Sequence, residues 1–72
     1  MTFKEYIKNN NLPTSITKLN CTHSGLSDLN GIEEFKCLEY LNCSANNLTT
    51  LPDLSNLKSL KLFYCSNNNL TH

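Results

Sequence analysis

The sequence predicts an α/β solenoid, a coil of repeated strand-and-turn units closed at its N-terminal end by a short helix. Three observations predict it. Cysteine recurs at Cys21, Cys43 and Cys65, with 43 − 21 = 22 and 65 − 43 = 22, and a fixed period of this length is the mark of stacked repeats. Within each unit the apolar spacing switches from two to three. Ahead of the repeats, Thr2-Phe3-Lys4-Glu5 fits the S/T-x-x-E pattern that opens a helix.

The helix comes first in the chain. After the capping box, Phe3, Tyr6 and Ile7 fall at i, i+3 and i+4, on one face of a helical turn. The helix is expected from Thr2 to about Asn9, stopped ahead of Leu12-Pro13, because a residue preceding proline is pushed out of the helical region. Residues 1–13 thus read as a capping helix and linker. Its apolar face is expected to cover the open end of the first repeat.

The repeats fill residues 14–72, as two full units and the strand of a third. The 22-residue spacing holds for Ile16, Leu38 and Leu60, for Leu19, Leu41 and Phe63, for Leu26, Leu48 and Leu70, and for Leu29 and Leu51. No insertion or deletion breaks the register. The second unit opens Leu38-Glu39-Tyr40-Leu41-Asn42-Cys43-Ser44-Ala45-Asn46-Asn47-Leu48, and the third repeats that pattern from Leu60 to Leu70. These stretches resemble the leucine-rich repeat, L-x-x-L-x-L-x-x-N-x-L, with cysteine in the third apolar slot. The 22-residue class is similar to the repeats of internalins and of some phosphatase regulatory subunits. Cysteine followed by Ser-x-Asn looks like repeats of bacterial and giant-virus proteins.

Each unit then reads as a short strand, a sharp turn and a return path. The resemblance implies parallel strands on a concave face and 3₁₀-like turns on the convex side. The return path fits that reading, since Leu26, Leu29, Ile32, Phe35 and Leu38 run at every third residue, as do Leu48, Leu51, Leu54, Leu57 and Leu60. A 3₁₀ helix eclipses side chains at i and i+3. In the strands, alternation sends Leu19, Leu41 and Phe63 inward with Cys21, Cys43 and Cys65. Asn46 and Asn68 hold the asparagine slot, where the resemblance implies that their amides satisfy backbone groups at the turn. Ser24 replaces asparagine in the first unit, so that ladder is expected to start imperfectly. Past Leu70 there is no sequence cap, so the last strand is expected to expose an apolar edge able to pair with another chain.

Composition narrows the function. Six basic and six acidic residues give zero formal charge, and every basic residue is lysine. Nucleic-acid surfaces rely on basic patches and bidentate arginine, so no nucleic-acid partner is expected. No stretch has the ~18 apolar residues of a membrane span, no basic amphipathic helix points to a membrane surface, and Met1 to Asn11 lacks the apolar core of a secretory signal. The expected location is a cytoplasmic, reducing compartment, with a host cytosol or a virion as alternatives.

No constellation for chemistry emerges. Cys21, Cys43 and Cys65 read as buried small hydrophobes of one ladder in preference to a disulfide framework, which would leave Cys37 without a nearby partner. Zinc is disfavoured by the lack of a C-x-x-C pair. His23 and His72 have no catalytic neighbour in sequence and read as surface side chains. Four N-x-S/T sequons, at Asn20, Asn42, Asn47 and Asn69, follow from the asparagine-rich template and not from secretion. No catalytic residue, cofactor, metal or small-molecule substrate is therefore expected.

What remains is a surface. On the fold implied by the resemblance, the outward strand residues line the concave face, with Lys18, Tyr40 and Leu62 in one row and Asn20, Asn42 and Tyr64 in the next. His23 and Asn67 are placed further along the same face. Tyr40, Leu62 and Tyr64 are expected to cluster, and amphipathic aromatics are favoured binding anchors. The expected function is a non-enzymatic protein–protein interaction module, working through this face and the C-terminal edge. The alternatives are a structural subunit of a larger assembly, for example a minor virion component, or a fragment of a longer array.

Overall fold

The computed structural model describes residues 1–70. Thr71 and His72 lie outside the described residues, and with them the surface role expected for His72 and the last position of the Asn69 sequon.

The chain opens with α1, Phe3–Asn9, capped by Thr2. Both halves of the capping box form. The Glu5 N–H donates to the Thr2 hydroxyl at 3.2 Å and the Thr2 N–H donates to the Glu5 carboxylate at 2.9 Å. These bonds to Thr2 hold the Glu5 carboxyl below its ordinary range. The helix ends by a different device from the proline expected to stop it. Asn11 turns left-handed (φ 50°), its N–H donates to the Lys8 carbonyl, and the Leu12 N–H donates to the Ile7 carbonyl. This is a Schellman closure with asparagine in the place glycine usually takes.

Three strands follow, β1 (Lys18–Asn20), β2 (Tyr40–Asn42) and β3 (Leu62–Tyr64). They form one parallel sheet in the order β1-β2-β3. Leu19 pairs with Leu41 and Leu41 with Phe63, so each residue meets the one 22 positions on. The bonds between β1 and β2 recur between β2 and β3. The Cys21 N–H donates to the Asn42 carbonyl and the Cys43 N–H to the Tyr64 carbonyl, both at 2.9 Å, while Glu39 donates to Thr17 and Lys61 to Glu39. A repeated sequence therefore gives repeated hydrogen bonds.

The connections carry the every-third-residue series. Between β1 and β2 the amides of Ile32, Phe35 and Leu38 each donate to the carbonyl of the preceding apolar residue, and a 3₁₀ helix forms over Ile32–Glu34. Between β2 and β3 the same bonds form at Leu57 and Leu60, and the described chain makes no 3₁₀ helix there. Pro52 supplies a reason, because it cannot donate and biases Leu51 away from helical angles.

The core lies between the sheet and these connections. Leu19, Leu26, Leu29, Ile32, Phe35, Leu38, Leu41, Leu48 and Leu57 are buried with Cys21 and Cys43. From the far end α1 adds Phe3, fully buried, its ring edge-on to Phe35 at 5.8 Å. The N-terminal ammonium donates to the Gly25 carbonyl and the Phe3 N–H to the Asp28 carboxylate. Phe63 and Cys65 were expected inward with Leu41 and Cys43. They are only half-buried, because among the described residues no strand pairs with the outer side of β3.

Three residues past each strand the chain turns left-handed, at His23 (φ 52°), Ala45 (φ 58°) and Asn67 (φ 56°). Asparagine tolerates this region and alanine does not. Ala45→Gly should therefore raise the unfolding free energy by roughly 0.5–1 kcal/mol. Urea unfolding followed by circular dichroism checks this, and a loss of stability would contradict it.

Candidate functional site

The outer face of the sheet carries six of the expected positions in two rows. Lys18, Tyr40 and Leu62 are register partners, as are Asn20, Asn42 and Tyr64. Neighbouring strands lie ~4.8 Å apart, so each row is a contiguous strip. The Tyr40 and Tyr64 rings sit 5.8 Å apart across the β2–β3 diagonal, and Asn42 Nδ2 donates to the Tyr40 hydroxyl at 3.3 Å. Tyr40, Leu62 and Tyr64 thus lie together.

Their exposure is uneven. Leu62 keeps 50% and Tyr64 47% of its surface open to solvent, and the remaining exposed large apolar residue is Met1. Leu19, Leu41 and Phe63 alternate to the inner side.

Asn20 and Asn42 have structural duties. The Asn20 Oδ1 accepts from the Thr22 N–H and hydroxyl, and the Asn42 Oδ1 accepts from the Ser44 N–H. Each side chain closes the end of its own strand, as asparagine does when it imitates a turn.

His23 and Asn67 do not join the two rows. The strands are three residues long, and both positions fall in the left-handed turn beyond them. Two-residue alternation could not place them, because it holds only while the backbone stays extended. Two residues of the face were missed instead, Glu39 and Lys61. Their side chains form an ion pair at 3.8 Å. The signal was present in the sequence, as opposite charges 22 residues apart.

Behind the face run two ladders. Asn46 is buried, accepts from the Ser24 and Leu26 amides at 3.0 Å each, and has Nδ2 within 3.2 Å of the carbonyls of Cys21, Cys43 and Ser44. Asn68 repeats this against Leu48, Cys43, Cys65 and Ser66, half-buried. In the first unit the Ser24 hydroxyl, in the asparagine's place, donates to the Thr22 carbonyl. The Cys21 thiol donates to the Asn42 carbonyl at 3.4 Å and the Cys43 thiol to that of Tyr64 at 3.5 Å.

All four cysteines are free thiols, buried at Cys21 and Cys43, half-buried at Cys65 and exposed at Cys37. Burial pushes the Cys21 thiol from its ordinary 9.0 up to about 11. Burial, reinforced by Cys21 and Cys65, pushes Cys43 up to about 12. At pH 9 both remain protonated and unreactive, since the thiolate is the nucleophile. Native-state titration with an aromatic disulfide at that pH should label Cys37 first and Cys65 next, with Cys21 and Cys43 reacting only on unfolding. Labelling of Cys43 together with Cys37 would contradict this.

Among the described residues no group of three or more His, Cys, Asp or Glu side chains is placed to hold a metal ion. Among the described residues no helix is long and apolar enough to cross a membrane. Comparison with family models, curated proteins and solved structures finds no match.

Proposed function

We propose that this chain is a leucine-rich-repeat solenoid of the 22-residue class, acting as a non-enzymatic module that binds a partner protein through the outer face of its sheet. The observation that carries this is Leu62 and Tyr64, half exposed side by side next to the Tyr40 ring. Water gains nothing from contact with such a strip, and a partner that covers it gains ~25 cal/mol per Å² of apolar surface removed from solvent. Tyrosine adds a hydroxyl that remains useful at the interface. A ladder that packs its cysteines as small buried side chains suits a reducing compartment.

Tyr64→Ala tests this reading. The substitution lies on the exposed face, so thermal unfolding should change little, while partner capture should weaken at least roughly tenfold, as for a binding hot spot. Undiminished capture would sink the proposal.

A second reading is favoured by the half-burial of Phe63, Cys65 and Leu70, whose counterparts Leu41, Cys43 and Leu48 are fully buried. It makes the chain a subunit of a larger assembly, joined along the free side of β3. Light scattering across a range of concentrations separates the two, since the second requires oligomers larger than the 8.2 kDa chain.

A further inference from the structure

A hollow of about 320 Å³ opens at the strand-entry edge of the outer face, lined by Lys18, Glu39, Tyr40, Lys61 and Leu62. Its shape comes from a break in strand alternation. The amides of Glu39 and Tyr40 both donate to the Thr17 carbonyl, and those of Lys61 and Leu62 both donate to that of Glu39. Two successive residues opposite one acceptor bend the chain, as a bulge does. Glu39 and Lys61 therefore line the same hollow as the neighbours that strict alternation would set opposite them.

The lining has a definite chemistry. Tyr40 and Leu62 supply an apolar floor and Lys18 and Lys61 supply ammonium groups, with Glu39 the one carboxylate, so the net charge is 2 − 1 = +1. Lys18 makes no ion pair among the described residues. Lys61 is held to Glu39 only at 3.8 Å, with 76% of its side chain exposed. A pair that long and that wet is easily exchanged.

We propose that this hollow is an acidic-peptide site, taking one carboxylate side chain of the partner between Lys18 and Lys61 and an adjoining apolar residue against Tyr40 and Leu62. A single surplus positive charge matches a monoanionic carboxylate. The apolar floor matches a peptide neighbour and has nothing to offer a phosphate. Glu39 acts as a resident competitor, holding Lys61 until the incoming carboxylate displaces it. The site deepens the proposed function and rests on it, because it assigns a chemistry to the partner.

The test is a heteronuclear NMR titration of the full chain with a capped pentapeptide bearing a central glutamate between leucines, repeated with glutamine in its place. The glutamate peptide should give saturable shifts at Lys18, Tyr40 and Leu62, with the glutamine peptide roughly two- to fivefold weaker, the size of an exposed charge pair. Lys18→Ala should abolish that difference. Glu39→Gln should strengthen glutamate binding by a similar factor, and half-molar salt should level the two peptides. The proposal is overturned by equal binding of both peptides, by weakening in Glu39→Gln, or by no shifts in the lining up to roughly tenfold above a millimolar dissociation constant. Tyr64 does not line the hollow, so its capture experiment decides the broader reading independently.

Discussion

Asn46→Ala is expected to lower the unfolding free energy by about 4 kcal/mol. The side chain is buried, accepts from two backbone amides and reaches three carbonyls. Alanine fills none of these roles, and the bonds to the Leu26 amide and to the Cys21 and Cys43 carbonyls are buried from water. Each buried group left without a partner costs roughly 1–3 kcal/mol, though relaxation around so small a core spares part of the sum. Stability for a domain of this length is on the order of 4–11 kcal/mol, so the substitution removes a large fraction of it. Asn68→Ala makes the internal control. Its amide has the same kind of partners but is half-buried, and water can replace what is lost, so about 2 kcal/mol is expected. Urea unfolding of both variants checks the ranking. Equal costs would mean that burial of the ladder is not what makes it matter.

The second large effect lies at the other end of the molecule. Phe3→Ala should cost about 3–4 kcal/mol, within the range for truncating a buried phenylalanine. The ring is fully buried, edge-on to Phe35 at 5.8 Å and stacked beside Tyr6 at 6.2 Å. Its loss opens a cavity and removes the main apolar anchor of α1. A helix of seven residues is too short to persist on its own, so α1 should fray together with the rest of the cap. Phe3→Leu keeps much of the volume and should cost only ~1–2 kcal/mol. Thermal unfolding by circular dichroism measures both. A small effect for Phe3→Ala would show that α1 rests on the repeats without stabilising them.

Those two residues also show what the sequence could and could not reveal. Thr2 and Glu5 announced the helix start because a capping box is a local contract between residues three apart. Asn46 was legible through its period, since a template copied along the chain also copies its hydrogen bonds. The same logic placed Tyr40 with Tyr64. At His23 and Asn67 the backbone turns left-handed, so strand alternation says nothing of where those two side chains go. It missed Glu39 and Lys61 because they flank the strands, and the doubled amide bonds that turn them toward the outer face are a property of strand pairing. Phe63 matched the template but not the burial, for burial depends on what lies on the next strand.

The departure of Ser24 from the asparagine slot has a structural counterpart. Asn46 reaches back to the Ser24 and Leu26 amides, so each unit's turn is satisfied by the asparagine of the unit that follows. The first unit thus needs no asparagine to serve a predecessor. On that side α1 takes over, with the N-terminal ammonium on the Gly25 carbonyl and the Ser27 N–H donating to the Met1 carbonyl.

Binding of a partner protein at the outer face of the sheet can be tested by site-specific photo-crosslinking in cells. A photoreactive phenylalanine analogue is placed at Tyr64 in one variant and at Lys58, exposed on the connection between β2 and β3, in another. A discrete cross-linked product is expected from position 64 and not from position 58. Equal products from the two positions, or a product from position 58 alone, would contradict it.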